Sequence, residues 1–425
     1  MVEARAWEGR LATRSFGKSF QAVFRETEEI PLFSLGISEQ RHQDYQAAVR
    51  ALGATVSPLT QNLHRWVQVV WQDGLASEVL QHIAYGAQVL LTSAVKPFTG
   101  TNYVPDEDTQ WILSDLEEEV HAGRFAPAEP SFFTYFAPIG VVTRQVDGEV
   151  KKRKVHNFSA PFGDDSFNTK CEADKKKFAT VQQAANLLRP KAYMAKIDLH
   201  KAFRYVGMDL ELFKYLGSQL SDLVAESCPR GRAGTERSPV FQWAGPHLCL
   251  QDTRMPMGMK SSPGIFHEIT SIIARRLRAE GVTTVVYLDD FLVIGATEEE
   301  CARGFNLLFD LVRWLGFDVS PSKVTPPTKY LTFLGVDLNT DADGDGAITL
   351  ALSAQKVQRL IGECATLTRN AVTIKAVESL LGRMNFAAQV IPFASAYMAS
   401  GFAALARARR CKHRTLTATR VFLAD

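Results

Sequence analysis

The chain has 425 residues, of which 46% are hydrophobic, 22% charged and 10% aromatic. That balance excludes a disordered chain, a collagen-like repeat and a disulfide-stapled mini-protein, and at about 150 residues per domain the length holds two or three domains around a large core. Lys+Arg 48 against Asp+Glu 46 leaves a net charge of +2, so a basic surface must come from local clustering rather than from the whole chain.

Six cysteines (Cys171, Cys228, Cys249, Cys301, Cys364 and Cys411) are scattered without CxxC spacing, which argues against zinc and for reduced thiols. The start, MVEARAWEGR, lacks the basic-then-apolar pattern of a signal peptide. The longest uncharged stretch, Met384–Ala406, contains Asn385, Gln389 and Pro392 and reads as packed helices rather than a membrane span. An intracellular protein, of cytoplasm or nucleus, is expected.

Residues 1–120 read as mainly helical. Leu63, Val67, Val70 and Trp71 recur at helical spacing, as do Val79, Ile83 and Val89 or Leu90. In Asp106–Ala122 the residues Trp111, Ile112, Leu116 and Val120 make one apolar face, with Gly123 as the stop. No chemistry is visible in residues 1–100, which read as scaffold or partner surface.

From Phe132 to Phe158 the texture changes to strands, and Asp147-Gly148 between alternating runs predicts a hairpin. Asp164–Lys177 is polar and irregular, Val181–Leu188 reads as a helix ended by Pro190, and Ala192–Leu199 as a strand. A loop rich in Arg, Gly, Ser and Pro spans Glu226–Ser238. Ser261–Arg278 is the strongest helix signal, with Ser262 as N-cap and Pro263 at the first helical position. Two apolar strands around an acidic turn follow in 283–295, then a helix (Glu298–Leu315) and strands around Val324 and at Leu331–Leu338. Ser353–Leu367, Thr373–Gln389 and Phe393–Arg410 read as helices.

The Tyr287-Leu288-Asp289-Asp290 turn projects two carboxylates from an apolar ribbon. Like charges held there repel, and a divalent cation neutralises them; on its own the pair is equally a solvated Asp-Asp turn. In Ala192–Leu199, Tyr193, Ala195 and Ile197 point one way and Met194, Lys196 and Asp198 the other, so Asp198 ends a strand whose opposite face is core. It meets Asp289 if the two strands are neighbours in the sheet. Two Mg²⁺ ions shared by such carboxylates form the clamp used for in-line phosphoryl displacement.

Taken in order, KIDLHKAFRYVGM (196–208), RMPMGMKSSPGIF (254–266), YLDD (287–290) and FLGVDL (333–338) resemble the reverse transcriptases, most nearly those of long-terminal-repeat and tyrosine-recombinase-type retroelements. Upstream, KKRKVHNFSAP with DDSFN is similar to their fingers segment, and the likeness spans about Glu117 to Arg410. The YxDD tetrapeptide alone is a weak signal; four ordered blocks are a specific one.

The resemblance implies an α+β right-hand polymerase. It would have a helical N-terminal region of unknown role (1–119), fingers (120–190), a palm with an antiparallel sheet backed by the 261–278 helix (191–340), and a helical thumb or connection (341–425). It implies that Asp198, Asp289 and Asp290 are the catalytic, metal-binding aspartates, holding two Mg²⁺ with Mn²⁺ as a possible substitute. Phe203 matches the aromatic residue beneath the incoming sugar, which leaves no room for a 2′-hydroxyl. Met257 and Gly258 match the loop passing close to template and nucleotide, Met257 standing where relatives often have Phe or Gln. Arg153 matches the fingers arginine over the base and triphosphate, with Lys151 and Lys154 adding charge nearby. Tyr287 belongs to the same nucleotide site, Lys323 matches a lysine near the triphosphate, and Phe333, Leu334 and Gly335 match the primer grip. Asn157 and Ser159 depart from the Asp and Arg common in relatives.

Two further patterns need weighing. Asp341, Asp343, Asp345, Gly346 and Ile348 mimic an EF-hand loop, but Leu352 stands where its bidentate Glu belongs, so the segment reads as an acidic turn. From Arg383 to Arg420 seven Lys or Arg occur with no acidic residue, a basic end suited to a duplex backbone or a tail leading onward. The expected function is RNA-directed DNA polymerisation on a primed RNA or DNA template with dNTPs. RNase H and a recombinase would come from other parts of a retroelement polyprotein, since 425 residues leave no room for RNase H here. The alternatives are a catalytically silent, retroelement-derived nucleic-acid-binding protein, an RNA-dependent RNA polymerase (against which Phe203 speaks), and an assembly role through residues 1–120.

Overall fold

The computed structural model describes residues 18–24, 30–71, 77–146, 149–172, 175–227, 239–319, 321–369, 372–391, 393–411 and 415–416. The Asp147-Gly148 turn, most of the 226–238 loop, Cys228, Pro392, Lys412, Arg414 and Arg420 lie outside the described residues. The five described cysteines are free.

The N-terminal third is helical as expected: α1 (Lys18–Val23), α2 (Glu39–Ala51), α3 (Pro58–Gln61), α4 (Leu63–Trp71), α5 (Ser77–Tyr85) and α6 (Asp106–His121). Ser38 and Ser57 cap α2 and α3, accepting from the Arg41 and Thr60 amides. Leu63, Trp66, Val67 and Val70 are buried, whereas Trp71, at the last position of α4, is 52% exposed. The periodicity that suggested Val89 or Leu90 stops at Tyr85. Gly86 turns the chain at φ +85° against the Met208 backbone, where a Cβ would lie 2.3 Å from Met208 O.

These helices are not a separate module. Phe20, Val49, Leu63, Trp66 and Leu80 share one buried cluster with Ala195, Ile197, Phe291, Val293 and Trp314. Trp66 Nε1 donates to Leu315 O (3.0 Å) and Arg65 Nη1 to Trp314 O (2.8 Å), closing carbonyls at the end of a helix about 250 residues later. The region expected to be a scaffold is built into the main core.

Strands follow in the order β1 (Phe98–Thr99), β2 (Phe125–Pro127), β3 (Tyr135–Phe136), β4 (Ile139–Val146) and β5 (Glu149–His156), with α7 (Phe167–Lys170) and α8 (Val181–Ala185) next. β4 and β5 pair antiparallel from Ile139↔His156 to Val146↔Glu149, the expected hairpin. Then come β6 (Tyr193–Asp198), β7 (Gly217–Gln219), α9 (Ser221–Ser227), α10 (Val240–Ala244), β8 (Cys249–Asp252), α11 (Ser262–Ala279), β9 (Thr283–Tyr287), β10 (Asp290–Gly295) and α12 (Glu298–Trp314). The remainder is β11 (Val324–Thr328), β12 (Tyr330–Phe333), β13 (Val336–Asn339), β14 (Thr349–Ala351), α13 (Ala354–Arg369), β15 (Val372–Thr373), α14 (Ile374–Ala387), α15 (Ala394–Arg410) and β16 (Thr415–Leu416).

The sheet that matters for function is antiparallel, in the order β11-β6-β10-β9. Its expected one-sided burial needs correcting. Ala195 and Ile197 pack into the main cluster with α11 and α12, but Met194 on the other face is also buried, with Leu292, Phe333 and Leu338. The β12-β13-β14 sheet covers that second face. What was read as one strand over Leu331–Leu338 is two, joined at Leu334 (φ +48°) and Gly335 (φ +78°).

The long helix also starts differently. Ser261, not Ser262, is its N-cap; no side chain caps it there. Ser262 is inside the first turn, 1% exposed, and its hydroxyl donates back to Pro256 O (3.0 Å), which fixes the preceding loop instead. Among the described residues no helix is long and apolar enough to cross a membrane.

Candidate active site

Six apolar-to-polar positions bring β6 alongside β10 in the register Gly295↔Tyr193 to Asp290↔Asp198. The ladder therefore ends with two carboxylates directly opposite each other, their Cα atoms within the few ångströms of a cross-strand pair. Leu288 (φ +54°) and Asp289 form the two-residue turn between β9 and β10. The Leu199 amide donates to Asp289 O (3.1 Å), so the third aspartate is strapped to the end of β6. Asp198, Asp289 and Asp290 come together on one sheet end, as the sequence expects.

Their electrostatics are crowded. Burial first, then the Asp198 charge, raises the Asp289 carboxyl to about 6. Asp290 is raised too, by burial, while Lys196 pulls it back. Lys196 Nζ lies 3.5 Å from Asp290 Oδ1, and Lys323 Nζ donates to Asp198 Oδ2 at 2.7 Å. Sequence reasoning missed Lys196, which sits beside Asp198 on its own strand; its signal was a charge on a strand with both faces covered.

The residues fit a divalent cation. Asp198 Oδ1 is buried without a hydrogen-bond partner, and a hard cation takes oxygen ligands of this kind. Among the described residues no group of three His, Cys, Asp or Glu side chains is arranged to hold a metal ion by itself. A divalent cation there would need further oxygen ligands, such as substrate phosphates.

Around this centre, Phe203 lies in the 3₁₀ turn Ala202–Tyr205 and packs edge-on against Phe266 of α11, ring centroids 5.2 Å apart. Tyr287 is the cross-strand partner of Asp290 and tilts against Phe178 at 5.7 Å. Met257 is 38% exposed. Gly258 has φ +115°, and a Cβ there would lie 2.0 Å from His156 O. The close approach that demands glycine is thus to the β5 end, where the His156 amide also donates to Met257 O (2.9 Å).

The KKRK run alternates. Lys151 and Arg153 lie on the exposed face of β5, free to reach a ligand, whereas Lys152 and Lys154 face α6. Lys154 is a correction: it is buried over the Phe125 ring and pairs with Asp115 at 2.8 Å, so it adds no surface charge. Asn157 Oδ1 accepts from the Ser159 amide (3.1 Å), and Asn168 Nδ2 donates to Ser159 Oγ (3.0 Å), a network of neutral groups.

Phe333 is fully buried, and the Leu334-Gly335 turn is held by Lys356 Nζ, which donates to Gly335 O. The acidic segment after it is a turn, as read. Asp343 accepts from the Asp345 and Ala347 amides (2.9 Å each), and Asp341 pairs with Lys329 (2.8 Å). In the last helices, Arg383 pairs with Glu363 and Arg409 with Glu378, both at 2.6 Å, leaving Arg407 and Arg410 as exposed cations with no acidic neighbour on their own helix.

A second cluster escaped the sequence. Arg204 donates through Nε to Glu119 Oε2 (2.8 Å) and through Nη1 and Nη2 to Asp252 (2.8 and 2.9 Å). Arg124 adds two bonds to Glu119, at 2.9 and 2.7 Å. Burial pushes the Glu119 carboxyl up, but Arg204, Arg124 and Lys154 outweigh it and hold it well below the usual carboxylate range. Arg204 lies 85 residues from Glu119 and 48 from Asp252, so only the fold could join them.

Residues 145–338 match the family described as reverse transcriptase (RNA-dependent DNA polymerase). The chain is 29% identical over 130 residues to the Gag-Pol polyprotein of feline leukemia virus, covering 29% of this chain and 7% of the relative. It is 27% identical over 154 residues to the Pro-Pol polyprotein of feline foamy virus, covering 36% and 12%. The chain therefore spans about a tenth or less of those relatives. The foamy viral protease-reverse transcriptase in complex with double-stranded DNA superposes with TM-score 0.56 at 17% identity, over 86% of this chain and 59% of that one. A second structure of that protein with double-stranded DNA gives 0.54 at 16%, over 93% and 69%. The fold is that of a right-hand polymerase, α+β.

Proposed function

We infer that this chain is an RNA-directed DNA polymerase of a retroelement, extending a primer on an RNA or DNA template with dNTPs. The observation that carries the reading is the Asp198/Asp290 cross-strand pair, with Asp289 strapped beside it and an unpartnered buried oxygen on Asp198. Mg²⁺ held by these three carboxylates, or Mn²⁺ in its place, would supply the charge that activates a primer 3′-oxygen and steadies the leaving pyrophosphate.

The chain's own residues then position and neutralise. Lys323, which pairs with Asp198 here, is near enough to turn toward a triphosphate. Lys151 and Arg153 on the exposed face of β5 would meet phosphate, and Phe203 would lie beneath the sugar. The Phe333–Gly335 turn would hold the primer end. In this reading residues 120–190 are fingers, 191–340 palm and 341–425 thumb, while 1–119 buttress the palm from behind. Origin in a long-terminal-repeat or tyrosine-recombinase element, an intracellular setting, and RNase H or recombinase on other parts of a polyprotein belong to the same reading.

The test is Mg²⁺-dependent extension of a primed RNA template with dNTPs, run beside Asp289→Asn. Extension by the wild-type chain and none by the variant is expected. A folded wild-type chain that binds primer–template yet extends nothing would replace this reading with that of a nucleic-acid-binding protein.

A further inference from the structure

Phe203 is the residue on which sugar selection would rest, and it stands on a turn with little support of its own. The turn is four residues long, starts at Lys201 in the left-handed region (φ +46°), and has no side-chain cap. Short 3₁₀ turns hold their geometry poorly by themselves. Phe266 packs against the ring itself; the turn that carries it needs a further tie.

The residues on either side of Phe203 supply it. Lys201 Nζ donates to Glu118 (2.9 Å) and reaches Glu119 (3.4 Å), both at the end of α6. Arg204 binds Glu119 on one side and Asp252 on the other. Glu119 and Asp252 are each 3% exposed and Arg204 12%, so these bonds are made largely out of water, where charge-assisted contacts are strong and directional.

Asp252 is the last residue of β8, and its Oδ1 also accepts from the Arg254 amide (2.9 Å) at the start of the loop that carries Met257 and Gly258. Arg204 Nη1 further lies 3.4 Å from the Arg254 and Met255 carbonyls of that loop. One guanidinium thus ties the Phe203 turn to the loop that leads to Met257 and Gly258. Its planar fork satisfies two carboxylates and leaves no equivalent for an ammonium.

We propose that Arg204, with Lys201 and the carboxylates Glu119 and Asp252, is a positioning clamp that sets the gap between Phe203 and the Met257-Gly258 loop, and thereby the selection of deoxyribose over ribose. This rests on the polymerase reading above. A shift of the ring by a fraction of an ångström would loosen rejection of a 2′-hydroxyl before it stopped DNA synthesis, since misplacements of about 1 Å cost rates on the order of a hundredfold.

The experiment is single-nucleotide incorporation on a primed RNA template, measuring kcat and KM for a dNTP and its ribonucleotide counterpart. It compares the wild-type chain with Arg204→Lys and Lys201→Met, alongside thermal unfolding. For Arg204→Lys the dNTP-over-rNTP ratio of kcat/KM is expected to fall about tenfold, with KM for dNTP raised and kcat within about threefold. Lys201→Met should narrow the ratio less and serves as the decisive variant if Arg204→Lys does not fold. An unchanged ratio in the folded variants, with activity falling only alongside Tm, overturns the clamp while leaving the polymerase reading intact. A folded wild-type chain that incorporates no dNTP overturns the polymerase reading and the clamp with it.

Discussion

Asp290 and Asp198 are cross-strand partners at the end of the β6–β10 ladder, and among the described residues the cations paired with them are Lys196, from β6 itself, and Lys323, just before β11. The site is therefore under-neutralised, which strains the fold in order to serve the chemistry. Replacing Asp289 by Asn should abolish extension, by about a thousandfold or more. In EDTA it should also raise Tm, by about 2 °C or more, because a buried like charge is removed. Primer extension and thermal unfolding of the same sample check both signs at once.

Gly258→Ala should destabilise by about 2 kcal/mol or more. The new methyl would sit 2.0 Å from the His156 carbonyl, at φ +115°, and backbone rather than a flexible side chain would have to give way. Denaturant unfolding measures it. Met257→Leu, on the exposed neighbour, is expected to change stability by less than about 0.5 kcal/mol.

Stability should fall on acidification in two stages. Burial first, then Lys154 and Arg204, holds His156 well below its ordinary value, so below about pH 6.5 the unfolded chain takes up a proton that the folded one refuses. His42, His82 and His267 are lowered by burial and act in the same direction. Glu119, held low, contributes a second loss below about pH 4.5, as the unfolded chain protonates first. In Asp289→Asn, which removes the opposing proton uptake at a carboxyl raised to about 6, urea midpoints from pH 7.5 to 5 should decline, and adding His156→Gln should flatten that slope.

Trp66→Ala should cost about 3–5 kcal/mol, since the side chain is fully buried and its indole also holds the Leu315 carbonyl. Trp66→Phe keeps most of the packing and isolates the hydrogen bond. A loss of about 1–3 kcal/mol there, read by denaturant unfolding, is expected for the carbonyl left unpaired.

Much of this molecule was legible in the sequence for reasons that can be named. The β9 and β10 strands showed because β-branched and apolar residues run through both, Thr283–Tyr287 and Phe291–Gly295, around an acidic break. The reversal at Leu334-Gly335 came only through the resemblance, which matched Phe333–Gly335 to a hairpin; the apolar run 331–338 by itself read as one strand, although Leu334 turns at φ +48°. Lys154 looked like its neighbours in KKRK, yet strand alternation sends it inward to Asp115. Ser262 looked like a cap because it precedes proline; the fold uses it to fasten the Pro256 carbonyl. Arg204 read as part of a motif, and only its meeting with Glu119 and Asp252 revealed its bonds. In each case the missing information was which face of an element would be covered, and by what.

The bond from Trp66 to Leu315 joins positions 249 residues apart. During synthesis α4 therefore emerges long before the helix it caps, and its apolar face waits while β6, β9 and β10 are made. At about 5–20 residues per second that delay is on the order of tens of seconds, long enough for an unsatisfied surface to find a wrong partner. Contacts so distant in sequence also slow the closing step itself. The chain's first helices are thus among its last to be secured, and its yield in the cell depends on what shields them in the interval.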